Sequence, residues 1–274
     1  SFKAHTIPKP TPPTITSPHN PFYRYCLKLR ENRKRRRYGQ FLIDGTKEIC
    51  RAYQAGVAIQ RLLISGESPP PHELQTMLES DSQLEIQAFS NSLLKRLCYG
   101  QMGAEPVALA EEPHWSLDNI SLDNQSLVLV LDQVEKPGNL GACIRSAAAC
   151  GCAAVLLTRP ICDPFSSNAI RASRGAIFEI PIAQTTPAAV LDLASKNGCS
   201  VFSARVSGRL KLWELPLSKG AFLVFGNEAN GLDDHWQHER VVSFLIPMRG
   251  GVDSLNVSIS AAVALYEAVR QKWM

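Results

Sequence analysis

The chain has 274 residues, 45% hydrophobic and 20% charged, a balance that fits one large or two smaller folded domains. No apolar run reaches the roughly 18 residues that a membrane-spanning helix needs. The net charge is only +4, yet eight Lys and Arg residues lie between Arg24 and Arg37 with Glu31 as the one acid, which points to an anionic polymer or surface as partner.

Residues 1–22 contain no Asp or Glu and are rich in Pro, Ser and Thr, so a disordered tail is expected there. The same acid-poor text fits a transit-peptide remnant, which leaves cytoplasm and organelle interior both open. Residues 41–43 read as a strand, and 46–56 as a helix with Thr46 as cap and Gly56 as stop. A strand at 59–64, a helix at 70–79, a strand at 84–89 and a short helix at 91–99 follow. Together they make a small α/β domain over 23–112. Residues 113–126, with Pro113 and two Asp-Asn pairs, read as a linker.

A second domain, 127–274, opens with the unbroken apolar run 127–131, the signature of a strand buried on both faces of a parallel sheet. Helices are expected at 140–150, 164–174 and 187–197, and strands at 153–157, 177–182, 201–204, 222–225 and 242–246. The last helix, 258–272, keeps Ile259, Val263, Tyr266 and Val269 on one stripe. The eight cysteines form no CxxC pair and read as reduced thiols. His235 and His238 have no third ligand in view, so no metal is expected.

Three stretches interrupt this pattern at strand ends, where open α/β sheets bind ligands. In DQVEKPGNLGACIR (132–145), Asn139 is placed to cap a helix. Arg145 sits inside otherwise small and apolar text, so a buried arginine with an anionic partner is expected. Residues 226–232, GNEANGL, hold a carboxylate, two amides and two glycines after an apolar strand. Residues 246–258 leave a strand through Gly250-Gly251, and Asn256 or Ser258 caps the final helix. A GxGxxG fingerprint is absent, which argues against a nicotinamide enzyme.

In this order and spacing, NLGACIRSA, FGNEANGL and IPMRGGVDSLNVSISAAVALYEAV resemble the three signature motifs of the SpoU (TrmH-like) RNA ribose 2′-O-methyltransferases of the SPOUT superfamily. The resemblance covers 127–273 and includes RASRGAIFEIP at 171–181. Residues 38–111 resemble, more weakly, the L30e-like substrate-binding domain that such enzymes carry. Asp44 stands where the family often has Glu, and Gln101-Met102-Gly103 where it has Gln-Gly.

The resemblance implies a deep trefoil knot around the parallel sheet, S-adenosylmethionine as cofactor, and a homodimer with the site at the subunit interface. It implies cofactor contacts at Gly226, Ile246 and Leu255, with Ala204 and Ser258 beside them. Arg145 would grip the RNA phosphate and stabilise the developing alkoxide, since arginine stays protonated. Asn139 would orient the site, Glu228 would pair with Arg145 or a neighbouring amide, and Asn256 and Ser258 would complete the polar wall. Arg33, Lys34, Arg35, Arg36 and Arg37, interleaved with tyrosines, are candidate RNA contacts, as are Arg171 and Arg174 on one helix. The implied substrate is rRNA rather than tRNA. The alternatives are a tRNA 2′-O-methyltransferase and an RNA-binding or assembly protein that keeps the fold without the activity.

Overall fold

The computed structural model describes residues 12–101 and 103–273, so Met102 and the first eleven tail residues lie outside the described set. The chain forms two compact units. The first runs to Pro113 and includes Phe165–Arg171, and the second holds the rest.

The first unit contains α1 (Pro21–Lys28), α2 (Asn32–Tyr38), β1 (Gln40–Asp44), α3 (Thr46–Gln54), β2 (Ile59–Ser65), α4 (His72–Ser80), β3 (Glu85–Phe89), α5 (Asn91–Leu97) and β4 (Val107–Glu111). Its sheet runs β1-β4-β2-β3, antiparallel except for the β2–β3 pair. The strand β4 has no counterpart among the expected elements, because its alternating alanines carry little β propensity. Thr46 does not cap α3, whose capping position is Gly45, with no side-chain bond.

Residues 12–22 correct the expectation of a disordered tail running to 22. Ile15 bridges Phe89 in parallel, donating to the Ala88 carbonyl at 2.9 Å and accepting from Ser90 N–H at 3.0 Å. Asn20 then caps α1, its Oδ1 accepting from Phe22 N at 2.9 Å and Tyr23 N at 3.1 Å. Composition misses this because one extended segment on a sheet edge needs little apolar text of its own.

The basic run divides by environment. The Arg30 guanidinium meets Asp44 through two bonds of 2.7 and 2.6 Å and donates Nε to the Leu97 carbonyl at 3.0 Å. The Asp44 side chain is 2% exposed and also accepts from Tyr99 N at 3.0 Å. Arg35 is buried and donates to the Leu29 carbonyl at 2.8 Å, so it is a structural residue and is withdrawn as an RNA contact. Arg33, Arg36 and Arg37 are exposed and Lys34 half-exposed.

The second unit contains β5 (Leu127–Asp132), α6 (Pro137–Ala149), β6 (Ala154–Thr158), the end of α7 (Ser167–Ser173), β7 (Ile182–Thr185), α8 (Pro187–Lys196), β8 (Ser200–Ala204), β9 (Leu210–Lys211), β10 (Ala221–Phe225), β11 (Val241–Leu245) and α9 (Val257–Trp273). Its sheet, β7-β6-β5-β10-β8-β11-β9, is parallel throughout. Every residue of β5, β6 and β10 is buried, as the unbroken apolar runs require. The chain winds outward from β5 through β6 to β7, returns as β8, and later inserts β10 between β5 and β8. That reversal sets the switch point at the carboxyl ends of β5 and β10.

Three expectations change here. The strand expected at 177–182 is a 3-10 turn, Ala176–Phe178, and the strand starts only at Ile182, because Arg174 and Gly175 turn the chain at φ 55° and 82°. The linker 113–126 is not free, since Leu117, Ile120 and Leu122 pack against the core around Val190 and Trp236. The α9 stripe also splits. Val269 is buried with Ala261, Ala264, Leu265 and Ala268, whereas Ile259, Val263 and Tyr266 stay 52%, 40% and 54% exposed. The helix therefore has two apolar faces, and among the described residues only one is covered.

Candidate active site

The loop after β10 is closed by its own residues. Asn227 is buried, and its Oδ1 accepts from Ala229 N at 2.9 Å and Asn230 N at 3.0 Å. Its Nδ2 donates to the Gln133 carbonyl at 3.1 Å and to Glu135 Oε1 at 2.8 Å. A Cβ on Gly226 would lie 2.5 Å from the Gly231 oxygen, so the glycine is required by the loop's return on itself. The sequence reading assigned Gly226 to ligand approach and missed Asn227. An asparagine that bonds backbone two and three residues ahead is the Asx-turn signal that would have found it.

Glu228 reaches the start of α6. It accepts from Asn139 Nδ2 at 2.8 Å, Glu135 N at 3.2 Å and Lys136 N at 3.4 Å. Helix α6 begins at Pro137, so Asn139 lies within the first turn and is not its cap. A carboxylate only accepts, which obliges Asn139 to present its NH2 to Glu228 and its carbonyl outward. That carbonyl accepts from Asn256 Nδ2 at 3.1 Å. The Asn256 oxygen then accepts from Ser258 N at 2.9 Å and Ser258 Oγ at 2.6 Å, which caps α9. One directional chain, Glu228–Asn139–Asn256–Ser258, thus joins three segments far apart in sequence.

Beside it, the ends of β8, β10 and β11 enclose a cavity of about 680 Å³, lined among others by Ala204, Gly226, Glu228, Ile246, Leu255 and Asn256. That size falls within the range of small-molecule sites. Four of the five proposed cofactor contacts line it, while Ser258 instead bonds Asn256. Asn139 and Arg145 are not among the lining residues. Two lining features escaped the sequence reading. Arg205 donates to the Leu232 carbonyl at 2.7 Å and the Asp233 carbonyl at 2.8 Å, clamping the 226–232 loop to β8. Asp253 adds a second carboxylate to the wall. Below the loop, buried Asp132 accepts from Thr158 Oγ1 at 2.7 Å and Arg159 Nη2 at 2.5 Å, and Arg159 reaches Asp233 at 2.6 Å. The Arg159 bond holds the Asp233 carboxyl down at about 2.

The model of the SpoU rRNA methylase family matches residues 126–266, just over half the chain. The chain belongs to that family. The MRM3-like substrate binding domain model matches residues 20–106 of this SpoU protein. It is 28% identical to the 23S rRNA (uridine(2479)-2′-O)-methyltransferase of Streptomyces viridochromogenes over 94% of its own length and 92% of the relative's. Among solved structures, the SpoU methyltransferase AviRb from Streptomyces viridochromogenes, in complex with AdoMet, superposes with a TM-score of 0.86 at 28% identity, covering 93% of this chain and 98% of that one. A crystal structure of an RNA 2′-O ribose methyltransferase gives 0.82 at 35% identity, covering 96% and 100%.

Arg145 departs from the sequence expectation for this SpoU chain. Helix α6 buries Leu140, Gly141, Cys143, Ile144 and Ala147, and Arg145 faces outward and is exposed. Among the described residues it has no hydrogen bond or ion pair. Six residues on a helix turn it about 120° away from Asn139 and carry it about 9 Å along the axis. Of the two partners expected for Glu228, the structure supplies the amide and not the arginine. Arg171 is exposed, donates to the Tyr99 carbonyl at 3.4 Å and lies over the Tyr99 ring, 5.9 Å from its centroid. Arg174 lies past the end of α7, so the two do not share a helical face.

Partial burial pushes the Glu228 carboxyl up, but the Asn139 amide and the N–H groups of Glu135 and Lys136 outweigh it, and the group ends below the ordinary glutamate range. A depressed folded value contributes stability that is present above the unfolded pKa and lost as pH falls through the folded one. Glu228→Gln is therefore expected to flatten the acid side of the stability profile, with little change in its slope near neutrality. Urea unfolding between pH 3 and 7 checks this, and an unaltered acid limb would contradict the assigned bonds.

Proposed function

We propose that this protein transfers a methyl group from S-adenosylmethionine to the ribose 2′-hydroxyl of a nucleotide in structured rRNA. The observation that carries the reading is the cavity at the ends of β8, β10 and β11, lined by Glu228 and Asn256, which Asn139 links from behind by hydrogen bonds to both. Its lining suits the cofactor. Ala204, Ile246 and Leu255 offer apolar surface for an adenine ring, and Glu228 and Asp253 offer negative charge to a cation. Bound there, S-adenosylmethionine supplies a methyl group activated on a sulfonium for in-line displacement. The chain's own work is positioning. Gly226, Ile246 and Leu255 would hold the cofactor, and Arg205 keeps the 226–232 loop shut.

The acceptor hydroxyl is a very weak acid. Arg145 stays protonated, so its role is to grip the phosphate beside the target ribose and stabilise the oxygen as charge develops, while the hydroxyl proton passes to a phosphate oxygen or water. Its outward aim supports a homodimer in which the arginine serves a site completed by a second copy. The exposed Ile259–Val263–Tyr266 stripe on α9 supplies the apolar face for that contact. The insertion of β10 between β5 and β8 supports the knotted path. The rRNA reading, rather than tRNA, rests on the likeness to a 23S rRNA methyltransferase over 92% of that relative's length and on the matched substrate-binding domain.

The test is transfer of labelled methyl from S-adenosylmethionine to separate rRNA and tRNA pools, with the product digested to nucleosides. Label recovered as 2′-O-methylribose from rRNA is the expected result. Label in tRNA alone would replace the substrate class, and label in neither would leave a silent RNA-binding protein.

A further inference from the structure

Resting on that RNA reading, we propose that the first unit carries a pocket for one unpaired nucleobase of the substrate RNA. The pocket is a cavity of about 700 Å³ spread across the four-stranded sheet, separate from the cavity of the second unit. Three primary amides line it: Gln40 of β1, Gln60 of β2 and Gln83 before β3. The directions of Gln40 and Gln60 are set by a carboxylate. Gln60 Nε2 donates to Glu111 Oε1 at 2.6 Å, which turns the Gln60 carbonyl toward Gln40 Nε2 at 2.7 Å. The Gln40 carbonyl in turn accepts from the Tyr25 hydroxyl. Each of Gln40 and Gln60 thus keeps one N–H and one lone pair unspent, and the Gln83 side-chain amide makes no hydrogen bond among the described residues, only its backbone N–H donating, to Asp81. Paired donors and acceptors at fixed positions match the edge of a nucleobase.

The same cavity holds a planar platform. The Arg61 guanidinium lies 4.8 Å from the centroid of the Phe22 ring and is pinned by Glu85, Nε to Oε2 at 2.8 Å. Phe22 is itself stacked on Phe89, with ring centroids 6.3 Å apart and planes 5° apart. A guanidinium backed by an aromatic ring and unable to rotate is a surface on which an unstacked base packs. Because Arg61 and Glu85 neutralise each other, the groove has no net charge to offer a phosphate. The charge lies next door, on α2, where Arg33, Arg36 and Arg37 are exposed and have no hydrogen bond or ion pair among the described residues. Helix α2 ends at Tyr38, which meets Tyr25 edge-to-face at 5.2 Å. Phosphates along α2 and a base turned into the groove fit a single-stranded segment. A continuous duplex, whose bases stay stacked, does not fit.

Fluorescence anisotropy on the full chain, with a labelled single-stranded 12-nucleotide RNA of mixed sequence and the blunt duplex of that sequence, tests this. Wild type is expected to prefer the single strand. Gln60→Ala/Gln83→Ala, both at exposed positions where the fold tolerates change, should weaken the single strand by about five- to tenfold and leave the duplex unchanged. Arg36→Ala/Arg37→Ala should weaken both RNAs alike. If the glutamine variant binds the single strand as wild type does while the arginine variant does not, the base pocket is overturned and RNA binding stands. If wild type binds neither RNA at micromolar protein, the RNA reading fails with it.

Discussion

Arg145→Ala is expected to lower methyl transfer by about a thousandfold, equivalent to about 4 kcal/mol of transition-state stabilisation. The melting temperature should stay within about 2 °C of wild type. The two halves of this result come from one observation. Arg145 is exposed and has no hydrogen bond or ion pair among the described residues, so its removal takes nothing from the fold. Any loss of rate must arise from what it does to a substrate. Arg145→Lys keeps the charge but not the planar fork, and should recover only part of the rate. Cofactor affinity, read by calorimetry, should be unchanged in both variants, because Arg145 does not line the cavity. Transfer retained within threefold in the alanine variant would remove Arg145 from the chemistry.

Asp44→Ala is the largest stability effect expected. It strips the partner from Arg30, and it leaves the Tyr99 N–H without its acceptor. Breaking a buried pair from one side costs about 3–5 kcal/mol. Arg30 keeps some access to water, its side chain being 19% exposed, which favours the lower end of that range. For a domain of this size about 3 kcal/mol is roughly 12–24 °C in melting temperature. Hydrogen exchange followed by mass spectrometry localises the effect. Peptides from β1, β2 and β4 should lose protection, while β5 and β10 keep theirs. Uniform loss over both units, or none, would show that the ion pair does not hold the first unit together.

The parallel sheet was legible because its central strands are unbroken apolar runs, and no other placement buries both faces of 127–131. The site segments were legible because they violate the pattern around them, with Gly, Asn and Glu crowded where a strand ends. What could not be read was direction. The sequence puts Asn139 at the cap of a helix and Arg145 inside it, but only the packing of α6 decides which one faces Glu228. The basic run shows the same limit. Arg30, Arg35 and Arg36 look alike as text, yet one closes an ion pair, one is buried under a carbonyl and one faces water. The loop clamps at Asn227 and Arg205 bind backbone atoms contributed by distant segments, and no local pattern announces them.

Ile15 lies against the outer edge of β3, and the Thr14 side chain occupies the space above Gly66, where a Cβ would come within 2.5 Å of its hydroxyl. An open edge strand is a template on which a second chain can pair, the common first step toward aggregation. The acid-poor segment before α1 is therefore a guard on that edge. A shortened version of the protein that starts at Asn20 would keep the helix cap and the whole core, yet expose the β3 edge to self-association.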